Sequence, residues 1–128
     1  MSRKTFLLDT NTVITLLNGD TKIKKDFPIT EQTDLFVSVI TRMELLAFSG
    51  LTAEAEKCIR DFLNYNTSVV SINSYIEEEA IKIRRTGGLK LPDSIIAATA
   101  IALGTVLLTN DRTLLQFNWP KLQTRSIF

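Results

Sequence analysis

Four acidic residues stand where carboxylates can act together: Asp9, Glu44, Asp93 and Asp111. Asp9 follows an apolar run at 5–8, and Asp111 follows another at 105–108. Glu44 falls in the first turn of a helix expected after the run at 35–39, and Asp93 opens an apolar helix together with Pro92. The chain has no histidine, which removes the commonest general base and the commonest zinc ligand. Serine–histidine and cysteine–histidine catalysis are thereby excluded. Polar chemistry falls to carboxylates, lysines, hydroxyls or a metal held by oxygen. Two bare carboxylates about 4 Å apart repel by roughly 4 kcal/mol at an effective dielectric of about 20. Four of them on one rim are tolerable when cations sit among them. An all-oxygen donor set selects a hard cation, magnesium or manganese. Such ions turn a bound water into a nucleophile and stabilise charge building on a phosphate, while a carboxylate can accept the water's proton. The implied reaction is metal-assisted hydrolysis of a phosphodiester.

Each acid also has a purely structural reading. Asp9 suits a helix cap. Thr41 and Glu44 have the spacing of a capping box. Asp93 favours the positive end of a helix dipole, and Asp111 fits a turn or a cap. What separates the two readings is convergence, because independent caps have no reason to meet on one rim.

Convergence depends on the elements that carry the acids. The stretch LPDSIIAATAIALGTVLLTND, residues 91–111, is central. Proline and an acid suit a first helical turn. Residues 95–103 are apolar on nearly every face, as in a buried helix, and Gly104 can end that helix in a left-handed conformation. The run at 105–108 reads as a strand covered on both faces. Earlier strands are expected at 5–8, 35–39 and 68–72, and a final one at 122–127. Helices are expected after Asp9 as far as Asn18 and Gly19, from Thr41 to about Ser49, from Thr52 or Ala53, after the cap Asn73 as far as Gly87 and Gly88, and at 112–117. The charged segment at 20–34, broken by Pro28, is expected to hold a short helix and a loop. Strands alternating with helices predict an α/β fold, a mostly parallel sheet of four to five strands between two helical layers. A crossover helix runs antiparallel to its strands, so the start of the apolar helix falls near their carboxyl ends. All four acids then share one edge, where open α/β sheets bind ligands.

The bulk properties agree with one soluble domain over residues 1–128. The chain is 45% hydrophobic and 23% charged, with a net charge of +1. That charge does not advertise a nucleic-acid binder, so such a role must rest on local patches. No apolar run suits a membrane span or a signal peptide. The single Cys58, placed here on an apolar helix face with Ala55, Ile59, Phe62 and Leu63, fits the core and a reducing cytoplasm.

The segments FLLDTN (6–11), SVITRMEL (38–45), LPDSIIAA (91–98) and LLTND (107–111) together resemble the PIN domain family, over essentially the whole chain. The nearest subgroup is the VapC-type toxins of bacterial and archaeal toxin–antitoxin pairs. The resemblance implies a cytoplasmic, magnesium- or manganese-dependent endoribonuclease of three-layer α/β/α architecture. It also implies homodimerisation and inhibition by an antitoxin whose C-terminal segment covers the active site. By position, Asp9, Glu44, Asp93 and Asp111 form the acidic quartet. Asp9 and Asp93 are the direct metal ligands, Glu44 and Asp111 complete the site directly or through water, and Asn11 and Thr109 orient ligands or water. Ser94 departs from the apolar residue usual after the third acid, and the tail at 116–128 matches loosely.

Basic residues supply candidate RNA contacts. Arg84, Arg85 and Lys90 flank Gly87 and Gly88 ahead of Asp93, where they either meet the RNA backbone or, for the two arginines, favour the negative end of their helix. Arg112 and Arg42 each neighbour a site acid and either hold a phosphate or balance charge. Lys22, Lys24 and Lys25 read as a solvated face, and Phe117 and Trp119 as packing near the C-terminus rather than base stacking. Two other functions compete with the nuclease: a non-catalytic α/β module binding nucleic acid or protein, and a phosphotransfer enzyme with Asp9 as nucleophile. The latter lacks its second acid, since Asn11 stands there.

Overall fold

Along the first strand, Phe6, Leu7 and Leu8 are all buried, yet Leu7 joins one apolar cluster while Phe6 and Leu8 join another. Successive side chains of a strand point to opposite faces, so this strand is covered on both sides. The computed structural model describes residues 3–19 and 32–127. Its elements are β1 (Lys4–Leu8), α1 (Thr10–Leu17), β2 (Thr33–Ser38), α2 (Val39–Leu46), α3 (Ala53–Asn66), β3 (Ser68–Val70), α4 (Ser74–Gly87), α5 (Leu91–Leu103), β4 (Val106–Leu108), α6 (Arg112–Gln116) and β5 (Gln123–Arg125). The strands form one five-stranded sheet in the order β3-β2-β1-β4-β5. Every pairing is parallel. On one face Leu7 and Leu107 pack with α4, α5 and α6, and on the other Phe6, Leu8, Val37 and Leu108 pack with α1, α2 and α3. This is the expected three-layer α/β/α arrangement.

Helix α5 is the buried helix the apolar run predicts. Ser94 and every residue from Ile96 to Ile101 are buried. Ser94, the departure from the family pattern, is accommodated because its hydroxyl donates to the carbonyl of Lys90 at 2.9 Å within its own helix. Gly104 ends the helix with φ of 62°, a left-handed conformation in which an L side chain is strained. Since α5 feeds the parallel strand β4, its first turn lies at the carboxyl edge of the sheet, as Asp93 requires.

Several boundaries differ from expectation. β2 begins at Thr33, so the charged segment gives up its last residues to the strand, while residues 20–31, with Pro28 and the three lysines, lie outside the described residues. β3 stops at Val70 because its partner β2 turns into a helix after Ser38, which pairs with Val70. β5 is likewise confined to the three residues that face Val106–Leu108. α2 follows β2 with no loop. Its cap is Ser38, whose hydroxyl accepts from the Ile40 amide at 3.2 Å. Thr41 is therefore inside the helix, Glu44 lies in its second turn, and the capping-box reading fails. The helix ends at Leu46, short of Ser49. Cys58 is exposed rather than core. Ile59 and Leu63 set the buried stripe of α3, and Cys58 is turned about 100° away from Ile59.

Candidate active site

The parallel sheet brings the ends of β1, β2 and β4 to one edge, and the acids follow from those ends. Asp9 leaves β1 and is 3% exposed. Its Oδ1 accepts the Thr12 amide at 2.7 Å, so it does cap α1. Its Oδ2 does something a cap does not need, accepting the hydroxyl of Thr109. The Thr12 hydroxyl donates to the Leu108 carbonyl at 2.9 Å and locks the start of α1 to the end of β4. Thr109 is fully buried, and its oxygen also accepts the Asp111 amide at 3.0 Å. One hydroxyl thus ties a carboxylate from the first strand to the backbone of another acid after the fourth. Asp111 caps α6 through Oδ1, which accepts from the amides of Thr113 at 2.7 Å and Leu114 at 3.4 Å.

Glu44 reaches the same rim from α2. Its Oε1 accepts the hydroxyl of Thr10 at 2.7 Å. The Thr10 oxygen also lies 3.2 Å from that of buried Thr41. One hydroxyl carries one proton, so Thr10 donates to Glu44 or to Thr41, and the charged acceptor is the stronger of the two.

Asp93 is different. It lies half-buried in the first turn of α5, whose cap residue is Lys90. Among the described residues its carboxylate has no hydrogen-bond or ion-pair partner. Burial pushes its pKa above the usual carboxylate value, and the charges of Asp111, Glu44 and Asp9, in that order, push it the same way, while Lys90 opposes them. Asp93 therefore stands in the field of all three other acids. All four acids follow or lie in elements that meet at the carboxyl edge of the sheet.

The donor set suits a hard divalent cation, being all carboxylate and hydroxyl oxygen. Among the described residues, no three acids gather closely enough to ligate one ion by themselves. Magnesium commonly keeps several waters and takes one or two carboxylates, so such a site needs no cage of three. The carboxylate of Asp93, unpartnered among the described residues, is open to such an ion.

The family model of the PIN domain matches residues 6–119. The chain belongs to the PIN domain family. Curated proteins gave no match. Solved structures resemble this PIN domain along nearly its whole length. A chain of a toxin–antitoxin complex from Klebsiella pneumoniae is 29% identical with a TM-score of 0.73, over 91% of this chain and 93% of that one. A chain of the DNA-bound VapBC from Salmonella typhimurium is 22% identical with a TM-score of 0.75, over 98% and 99%. A chain of VapBC-1 from nontypeable Haemophilus influenzae is 24% identical with a TM-score of 0.71, over 95% and 97%.

The other residues singled out in the sequence take several places in this PIN domain. Asn11 is exposed on α1, and its side chain makes no hydrogen bond among the described residues. Lys90 opposes the charge of the acids around Asp93 but is the smallest of the influences on it. Arg84 and Arg85 occupy the last turn of α4, where they complement its dipole. Neither Arg42 nor Arg112 is ion-paired to an acid among the described residues. Phe117 and Trp119 stack on each other with centroids 5.6 Å apart, and the indole donates to Glu79 at 2.9 Å, so they pack against α4. The hydroxyls Thr10, Thr12 and Thr41 were not anticipated. The signal for Thr10 was its place directly after Asp9 in DTN. Beside Glu44 lies an open apolar trough of about 280 Å³, bounded by Thr10, Ile14, Phe48 and Leu51, with Phe48 68% exposed.

Proposed function

We propose that this PIN domain, spanning the whole chain, is a magnesium- or manganese-dependent endoribonuclease and the toxin of a toxin–antitoxin pair. The observation that carries the reading is Asp93, an unpartnered carboxylate in the field of Asp9, Glu44 and Asp111. Asp9 and Asp93 would hold the ion, with Glu44 and Asp111 completing the site directly or through water. When bound, the ion supplies Lewis-acid stabilisation of a phosphate and an acidified water. The chain's own part is orientation and proton handling. Thr109 fixes one Asp9 oxygen, Thr10 fixes one Glu44 oxygen, and the other oxygen of exposed Glu44 would take a proton from water. Lys90, with Arg84, Arg85 and Arg112 around the rim, contributes cations for the RNA backbone.

The antitoxin is supported by the apolar trough beside Glu44, which suits an apolar segment of a protein partner laid across the site's edge. The toxin–antitoxin and VapBC complexes that resemble this chain point the same way. A homodimer and a cytoplasmic setting belong to the same reading. Among the described residues no helix is long and apolar enough to cross a membrane.

The test offers structured RNAs to the purified protein with magnesium or manganese, then adds a chelator. Cleavage should require the ion and be lost in Asp9→Asn, which keeps a cap oxygen but removes the charge. Cleavage that survives chelation, or persists in that variant, rejects the mechanism. A wild-type protein that binds no divalent ion by calorimetry and cuts no RNA is instead the non-catalytic binding module.

A further inference from the structure

Between Thr109 and Asp111 stands Asn110, whose side chain belongs to neither acid's contacts. Its carbonyl oxygen accepts two hydrogen bonds from the far end of the chain, from the Ser126 hydroxyl at 2.9 Å and the Ile127 amide at 3.1 Å. The Thr109 amide donates to the Arg125 carbonyl at 3.0 Å, one step beyond the last β4–β5 pair. Ile127 is fully buried, in the cluster formed with Phe6, Leu8, Val13 and Val37. The tail is therefore fastened in the core, and from that anchor it holds residues 109 and 110. Those residues have no regular structure of their own, yet Thr109 must aim its hydroxyl at Asp9 and Asp111 must emerge toward Asp93.

We propose that Asn110 is a positioning residue, and that Ser126 and Ile127 brace the metal site through it. The inference rests on the metal-site reading given above. Both lone pairs of one amide oxygen are used on the tail, so the turn carrying Thr109 and Asp111 is set by β5 as well as by β4. Losing a partner that orients a metal ligand typically costs about 10–100-fold in metal affinity.

The experiment titrates Mn2+ into the full chain and follows free Mn2+ by electron paramagnetic resonance, with thermal melts in chelator alongside. Asn110→Ala should weaken Mn2+ binding about tenfold. Asn110→Asp, which keeps an accepting oxygen, should restore it. A merely structural residue would lower the melting temperature and leave the affinity of the folded protein unchanged, and that result overturns the brace. If Asn110→Ala does not fold, Ser126→Ala removes one of the two donors. It should weaken binding about threefold, and unchanged affinity there also overturns the proposal. Wild-type protein that binds no Mn2+ removes the metal-site reading and the brace together, whereas wild-type binding with unaffected variants removes the brace alone.

Discussion

Thr10 and Glu44 are 34 positions apart and meet through one hydrogen bond of 2.7 Å. Thr10 directly follows Asp9, so two adjacent residues serve two different acids: Asp9 supplies a carboxylate, and Thr10 fixes the one that arrives from α2. Without that bond an exposed glutamate has its full choice of rotamers. Thr10→Val keeps the shape and removes the donor. RNA cleavage should fall about tenfold, while the denaturant midpoint should register a loss of only about 1 kcal/mol. Rates within twofold of wild type would show that Glu44 needs no such hold.

Asp93→Asn separates charge from structure. No side-chain bond is lost, because Asp93 does not cap α5. In chelator the variant should melt at or above the wild-type temperature, since a carboxylate disfavoured by burial and by the charges of Asp111, Glu44 and Asp9 is removed. The rise in melting temperature on adding manganese should shrink. A large drop in metal-free stability would mean that the helix dipole, not the cluster, dominates at this position.

The same residue predicts a pH dependence. The Asp93 pKa is raised in the folded chain, against about 3.9 when unfolded. Between those two values the folded state binds more protons, so stability from this group is full below the unfolded pKa and is lost as pH rises through the folded one. Other carboxylates have their own slopes, so the quantity to follow is the difference between Asp93→Asn and wild type. Urea midpoints measured in chelator should show the variant's relative advantage growing with pH across that interval and then levelling. A pH-independent difference would contradict it.

Thr109→Val leaves two groups stranded: Asp9 Oδ2 without its donor and the Asp111 amide without its acceptor. The site is buried, so water does not readily replace the hydroxyl, and the expected cost is about 1–3 kcal/mol. Thr109→Ser, which keeps the hydroxyl and loses a methyl, should recover most of it. Equilibrium unfolding of the three proteins in chelator decides the matter.

Much of the site is legible in the sequence. Asp9 and Asp111 each end an apolar run, and parallel strands deliver such ends to one edge. Asp93 followed from the direction a crossover helix must take. The Thr10–Glu44 bond was hidden because it depends on how α1 and α2 pack, which no local pattern encodes. The start of α2 was misread because Ser38 both ends a strand and caps a helix, so no loop residues separated the two periods. Cys58 was misplaced because the stripe of α3 is narrow and a cysteine is small enough to fit either side of its border. The lengths of β3 and β5 could not be read from their own residues, since each ends where its neighbour's ladder ends.

β1 occupies the middle of the sheet, with two strands on either side. Its amides and carbonyls are engaged from both directions, so solvent exchange must enter from the flanks and reach it last. Asp9 therefore acts as the datum of the rim.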